Sequence, residues 1–220
     1  MSFGRALARR LIPRVVVIAA ALAAASPVHA QPLDPPGPFV VDARGALPRF
    51  KESGFTAGEL GVPAVSLPTL GVGFDVGAHW YPLRARNVTL GVGASFLWGR
   101  GRQTPTDDEG EPTGPTIETR LVAIAPQLSL NFGTERGWSY ISGGIGQSVY
   151  DTRLAETPAD NSRRVRTINY GGGARWLARP HLAFSLDLRF YAMGPQEATD
   201  TVAATERITL MVFSAGVSFK

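Results

Sequence analysis

Hydrophobic residues alternate with polar or small residues over long stretches of this chain. Between His181 and Gly194, every second residue from Leu182 is apolar, namely Leu182, Phe184, Leu186, Leu188, Phe190 and Ala192. The residues between them include Ser185, Asp187 and Arg189. A period of two is typical of a β-strand whose two faces differ in polarity. The segment therefore predicts a strand with one apolar face. The function of the protein depends on what that face contacts.

The same alternation recurs in eight segments along the chain. They are Phe39–Leu47, Leu70–Trp80, Leu90–Trp98, Val122–Phe132, three segments that begin near Ile141, Ile168 and Leu182, and Met211–Phe219. Beyond the first thirty residues, no window offers the roughly eighteen consecutive apolar residues of a transmembrane helix. The pattern predicts an all-β protein with eight strands.

The connections between these segments alternate between long and short. The long ones cover about 48–68, 103–115, 151–163 and 194–205, and the short ones cover about 82–87, 133–137 and 178–180. An antiparallel up-and-down meander with tight turns at one end and long loops at the other follows from this spacing. That asymmetry is typical of transmembrane β-barrels of the outer membrane, which have short periplasmic turns and long extracellular loops.

The composition of the polar face indicates where the apolar face points. A soluble periplasmic, lipocalin-like barrel would turn its apolar face inward, and its water-exposed strand positions would favour Lys, Glu and Thr. Here the polar face consists mainly of Gly, Ser, Ala, Asn and Gln, which suit a cramped lumen. We therefore expect the apolar face to contact lipid, which requires a closed barrel because unpaired edge amides are costly in hydrocarbon. The soluble ligand-binding barrel is the alternative.

Tryptophan positions predict two aromatic girdles at the membrane interfaces. Trp80 and Trp176 lie near short turns and Trp98 lies near a long loop, all on the apolar face of their strands. Trp138 is assigned to the same girdle, although it begins its strand on the polar face and needs a bulge to reach lipid. Pro126 lacks an amide hydrogen, so we expect a bulge or a break in the ladder there.

The first thirty residues predict a cleaved secretory signal peptide. Four arginines precede the short apolar run 15–25, and Val28-His29-Ala30 resembles a cleavage site. We expect residues 1–30 to be removed, 31–37 to form a linker and 38–220 to form the barrel. Removal changes the balance of 22 basic and 18 acidic residues, net +4, to 18 and 18. Nucleic-acid binding is not expected without a clustered positive excess.

These features resemble the small eight-stranded outer-membrane barrels of the OmpA and OmpX type, over the region from Phe39 to Phe219. The last segment, "ITLMVFSAGVSFK", resembles the C-terminal insertion signal of that family, in which alternating apolar residues lead to a terminal aromatic residue, here Phe219. This sequence departs by placing Lys220 after it. The resemblance implies the barrel assembly machinery as a partner during insertion. The periplasmic cell-wall-binding domain of OmpA has no counterpart, so a tethering role is not implied.

Charged residues on the polar face predict a plugged lumen. Eight strands enclose an interior just wide enough for side chains, and buried charges must be paired. We expect a buried ion-pair network formed by Asp75, His79, Asn169, Arg175, Asp187 and Arg189. A narrow ion or small-solute channel past His79 is the alternative.

Arginines near the long loops predict contact with lipopolysaccharide phosphates, since guanidinium groups bind phosphate with two parallel hydrogen bonds. The candidates are Arg100, Arg102, Arg163, Arg164 and Arg166. The alternative is a solvated rim balanced by the acidic loop "TDDEGEPTG".

We expect no catalytic, cofactor or metal site. His181 and Ser185 lie on one strand about 13 Å apart, which is too far for them to act as a catalytic pair. The predicted role is structural, or one of surface interaction through the loops.

Overall fold

The chain folds into a closed antiparallel β-barrel. The computed structural model describes residues 37–85, 88–134, 136–158, 164–195 and 206–220. The strands are β1 (Phe39–Arg49), β2 (Val72–Ala85), β3 (Val88–Gln103), β4 (Ile117–Thr134), β5 (Gly137–Leu154), β6 (Arg164–Arg179), β7 (Leu182–Met193) and β8 (Ile208–Phe219). Each strand pairs with its neighbours in sequence, and β1 pairs with β8 to close the barrel. The predicted up-and-down fold is confirmed.

The two ends of the barrel differ as the spacing predicted. β6 joins β7 by two residues, whereas β1 joins β2 by a connection of more than twenty. That connection contains the short helix α1 (Gly54–Leu60), which the alternation pattern does not reveal. The side chain of Ser53 caps α1 by accepting a hydrogen bond from the Thr56 amide at 3.3 Å, and Gly61 ends it with φ of 66°. Among the described residues, no helix combines the length and apolar character needed to cross a bilayer.

The ladder between β4 and β5 is interrupted around Pro126. Pairing joins residues 117–124 to 147–154 and resumes between 128–134 and 137–143 in the same register. The predicted break therefore occurs without a bulge, because proline removes a donor but leaves the strand direction intact. Register shifts occur instead between Trp80 and Leu83 and between Leu177 and Arg179, both at the short-turn end.

The apolar face of the strands points outward. Phe184, Leu186 and Leu188 are 58%, 40% and 41% exposed, whereas Asp187 and Arg189 on the same strand are buried. This orientation is opposite to that of a soluble barrel with an apolar interior, so that alternative is wrong. A closed sheet with an apolar exterior satisfies its backbone hydrogen bonds internally, which is the requirement for residing in hydrocarbon.

The strands approach closely where glycine faces the lumen. A Cβ atom at Gly93 would overlap the carbonyl oxygen of Ala78 and the ring of His79 on β2. The absent side chain at Gly93 thus makes room for a buried histidine beside it. Small residues on the inner face allow larger polar groups to fill the same narrow lumen.

Candidate functional site

Inward-facing side chains form three layers in the lumen. A small apolar layer of Val40, Tyr81 and Trp138 lies at the short-turn end, and a charged layer lies above it. A larger apolar layer fills the half nearest the long loops and consists of Ala46, Phe50, Leu97, Leu121, Ala123, Tyr191, Met193, Leu210 and Val212. The charged residues of the inner face are therefore concentrated at mid-height, between two apolar layers.

Asp42 on β1 is the centre of the charged layer. Arg175 on β6 donates hydrogen bonds to both of its carboxylate oxygens, at 2.9 and 2.7 Å. The guanidinium of Arg44 lies 2.7 Å from the same carboxylate, and the hydroxyl of Ser218 donates to it at 2.5 Å. One carboxylate thus joins three strands across the lumen and forms ion pairs with two arginines.

Arg44 extends this network toward β2 and β7. Its Nη1 donates to Asp75 at 2.6 Å, and its Nε donates to the hydroxyl of Ser185 at 3.0 Å. All of these groups are buried. Asp75 is therefore paired with a residue of the first strand rather than with Arg189.

Arg189 forms the second half of the charged layer. It contacts Asp187 on its own strand, with its Nη2 3.1 Å from Oδ2, and the hydroxyl of Tyr140 donates to the same carboxylate at 2.6 Å. The remaining guanidinium hydrogens are donated to neutral acceptors, namely Gln127 at 3.0 Å, Asn169 at 3.1 Å and Ser142 at 2.7 Å. The arginine is fully engaged on four strands.

The charged layer is balanced. Its carboxylates are Asp42, Asp75 and Asp187, and its guanidinium groups are Arg44, Arg175 and Arg189. Charges removed from water are tolerable only when such pairing and additional hydrogen bonds compensate their lost hydration. Arg175 also lies over two aromatic rings, 4.1 Å from the Tyr140 ring centre and 5.5 Å from that of Trp138, a cation–π arrangement.

The structure brings the six predicted lumen residues into this layer, and all six are buried. His79 takes the least part. Its Nδ1 lies 3.8 Å from Asp42, and neither ring nitrogen has a hydrogen-bond partner among the described residues. The sequence reasoning missed Asp42 and Arg44, although both occupy the inner positions of the alternating segment Phe39–Leu47.

The tryptophans divide between the two sides of the wall. Trp80 and Trp176 are each 50% exposed near the short turns. Trp98 lies on the outer face toward the long loops, stacked on Phe74 with ring centres 5.7 Å apart. The assignment of Trp138 to the girdle is wrong, because no bulge turns its strand and the ring is buried in the lumen beside Arg175.

Outward-facing arginines gather above Trp98 at the long-loop ends of β3 to β6. We call the following set the rim cluster: Arg100, Arg102, Glu118, Arg120, Asp151, Arg153, Arg164 and Arg166. It holds six basic and two acidic side chains. In the ladder between β3 and β4, Arg102 lies directly opposite Glu118, and Arg100 lies opposite Arg120. The cluster therefore adds a net positive charge at the level just outside the apolar belt.

Glu118 organises part of the rim cluster. It is buried and forms ion pairs with Arg100, Arg153 and Arg102, the last at 2.9 Å. Arg100 and Arg102, both predicted to contact lipopolysaccharide, are thus partly neutralised by a residue that the sequence reasoning did not single out. Arg164 and Arg166 are exposed on β6, whereas the predicted contact Arg163 lies outside the described residues.

The last aromatic residue of the predicted insertion signal lies on the exterior of the barrel wall. Phe219 is half exposed at the end of β8 and faces Val41 on β1 and Leu182 on β7 across the ladders. Its ring therefore belongs to the apolar exterior at the short-turn end.

Comparisons with known proteins bear on the architecture of the chain. No family model and no curated protein matches the sequence. Among solved structures, Neisserial surface protein A (NspA) matches with a TM-score of 0.52 and 14% identity, over 84% of this chain and 97% of that one. The attachment invasion locus protein Ail of Yersinia pestis matches at 0.48 and 15%, over 82% and 96%. OprG of Pseudomonas aeruginosa matches at 0.44 and 10%, over 82% and 94%. At this identity, the likeness to NspA establishes a shared barrel fold.

Proposed function

We propose that this chain, which has the fold of the small eight-stranded outer-membrane barrels, is an exported, non-catalytic integral outer-membrane protein with a plugged lumen. One observation carries the proposal: a balanced layer of buried charges lies between two apolar layers, inside a wall whose exterior is apolar. Residues 1–30 would serve as the export signal, and Phe219 would be recognised by the barrel assembly machinery. The role is structural, or one of surface interaction through the long loops.

The layering argues against the alternative of a narrow channel. A hydrated ion crossing the lumen would have to pass the apolar layer around Leu97 and Leu121, where the wall offers few groups that could replace its water. We expect purified protein in planar bilayers to show no discrete conductance steps, while a porin measured in the same bilayers does. Reproducible steps that disappear on heat denaturation would favour the channel instead.

We further propose that the rim cluster binds phosphate groups of lipopolysaccharide. Six arginines against two carboxylates favour an anion there, and guanidinium groups bind phosphate with paired hydrogen bonds. Arg164 and Arg166 project from the same face of β6, about 7 Å apart at the usual rise of a strand. That spacing suits contact with one or two phosphates at the level of the lipid headgroups.

Charge reversal at the rim tests this second proposal. We expect R163E/R164E/R166E to retain about tenfold less lipid A through purification, the effect of losing one charge-assisted contact. The amount of lipid A per protein is measured by mass spectrometry. R136E/R179E, which reverses two arginines at the short-turn end, serves as the control and should retain lipid A. Equal retention in both variants would favour the solvated rim.

A further inference from the structure

A groove of about 790 Å³ lies on the outer wall of the barrel, within the apolar belt. Its floor is formed by Gly143 on β5 and Gly172 on β6, which occupy outward positions without a side chain. Leu128 and Leu130 line one side. The rings of Tyr170 and Phe190, stacked with centres 5.5 Å apart, line the other.

The two floor glycines have different reasons to be glycine. A Cβ atom at Gly172 would meet the carbonyl oxygen of Tyr140 at 2.5 Å, so backbone crowding excludes a side chain there. At Gly143 the nearest atoms to such a Cβ are the Asn169 carbonyl oxygen at 3.4 Å and Tyr170 Cβ at 3.9 Å, which are ordinary contacts. The barrel would accept a larger residue at Gly143, yet the position is empty and the groove stays open.

The groove lies beneath the rim cluster on the same strands. Arg166 and Tyr170 share one face of β6 and are four residues apart, about 13 Å along the strand. Above the groove, a second outward cavity of about 450 Å³ is lined by Arg120, Gln147 and Arg164 together with apolar side chains. A cationic cavity and an apolar groove thus follow one another from the long-loop end past the middle of the wall.

We propose that this column binds one lipid A molecule of the outer leaflet, with a phosphate at Arg120, Arg164 and Arg166 and one acyl chain in the groove over Gly143. The inference rests on the proposed insertion in the outer membrane and deepens the proposed contact with lipopolysaccharide. Charge complementarity at the top and the apolar lining below fit a lipid that carries both phosphate and acyl chains. The placement of the arginine-lined cavity at the long-loop end selects a lipid of the outer leaflet.

Filling the groove tests the proposal. In G143L the new side chain would lie between Leu128 and Tyr170, its neighbours across the two ladders. G45L is the matched control, because Gly45 is an exposed outward position on β1, with only the Ala215 carbonyl oxygen near an added Cβ, at 3.8 Å. Both full-length proteins are purified from outer membranes in mild detergent, and bound lipid A and glycerophospholipid are quantified by mass spectrometry.

We expect G143L to retain at least about tenfold less lipid A than wild type, as when two or three methylene groups lose their contacts, while G45L retains it. Unheated gel mobility shows that each variant is folded. If G143L is unfolded, G143A should show a smaller loss in the same direction. Unchanged lipid A in folded G143L, a glycerophospholipid as the retained lipid, or a dimer lost only in G143L would each overturn the proposal.

The outcomes separate this inference from the proposals on which it rests. Loss of lipid A in R163E/R164E/R166E but not in G143L would overturn the proposal that the groove binds an acyl chain. The proposed phosphate contact would still hold. Recovery of the wild-type protein in the soluble fraction, without detergent, would overturn the membrane proposal itself.

Discussion

Replacing Arg189 by alanine is expected to lower the free energy of unfolding by about 3–5 kcal/mol, the cost of breaking a buried ion pair by removing one partner. Arg189 is the only described guanidinium within ion-pair distance of Asp187, which would keep only the hydrogen bond from Tyr140. Gln127, Asn169 and Ser142 would lose a donor at the same time. Urea titration of the protein in lipid vesicles, followed by tryptophan fluorescence, measures the change.

Two controls separate charge from volume in this experiment. R207A removes an exposed arginine near the long loops and should change stability by no more than about 0.5 kcal/mol. R189M/D187N removes both charges and should recover most of the loss, because no unpaired charge remains. An unfolding midpoint for R189A equal to that of R207A would contradict the role given to the charged layer.

Replacing Asp42 by alanine is expected to cost a similar amount, about 3–5 kcal/mol. Arg44 would keep its contact with Asp75, but Arg175 would lose the carboxylate that accepts two of its hydrogen bonds and would keep the contact of its Nε with the Ser218 hydroxyl at 3.2 Å. The buried guanidinium would then face two aromatic rings without a counter-charge. The same urea titration applies.

The matched control for this prediction is D108A, which removes an exposed carboxylate from a long loop. The double variant D42N/R175M restores an equal number of positive and negative charges and should be more stable than D42A. If D42A and D108A unfold at the same urea concentration, Asp42 does not hold the network together.

The number of strands and the face of each residue are readable from the sequence because the outward positions along the middle of the barrel wall are apolar and the inward ones are small or polar. Alternation then reports directly on which residues face outward, as at Phe184, Leu186 and Leu188. The unequal connections supply the topology, since short turns allow only antiparallel neighbours. Helix α1 escapes this reasoning because it depends on a local cap at Ser53 rather than on alternation.

The pairing inside the lumen is less readable. Alternation shows that Asp75 and Arg189 face inward, but height in the lumen depends on the stagger between strands, which only the register reveals. For that reason Asp75 meets Arg44 rather than Arg189. Trp138 illustrates the opposite error: the alternation of β5 places it inward, as the structure does, whereas the general preference of tryptophan for membrane interfaces places it in the girdle.

The rim cluster has some features that the sequence reveals and others that it does not. Arg164 and Arg166 follow the outward alternation of β6, so their exposure could be predicted. The burial of Glu118 could not be predicted, because it arises from arginines on β3 and β5 that surround its carboxylate. Neutralisation within a cluster is a property of tertiary structure and leaves no periodic trace in the sequence.

The contacts of Asp42 have a consequence for how the chain enters a bilayer. Its partners lie on β6 and β8 as well as on β1, so its complete set of contacts forms only when the last strand meets the first. A sheet that has not yet joined its first and last strands would expose incompletely paired charged side chains to hydrocarbon, and the free energy of removing them from water would be high. For the membrane insertion proposed above, closure of the barrel and passage into the lipid would then be coupled into a single event.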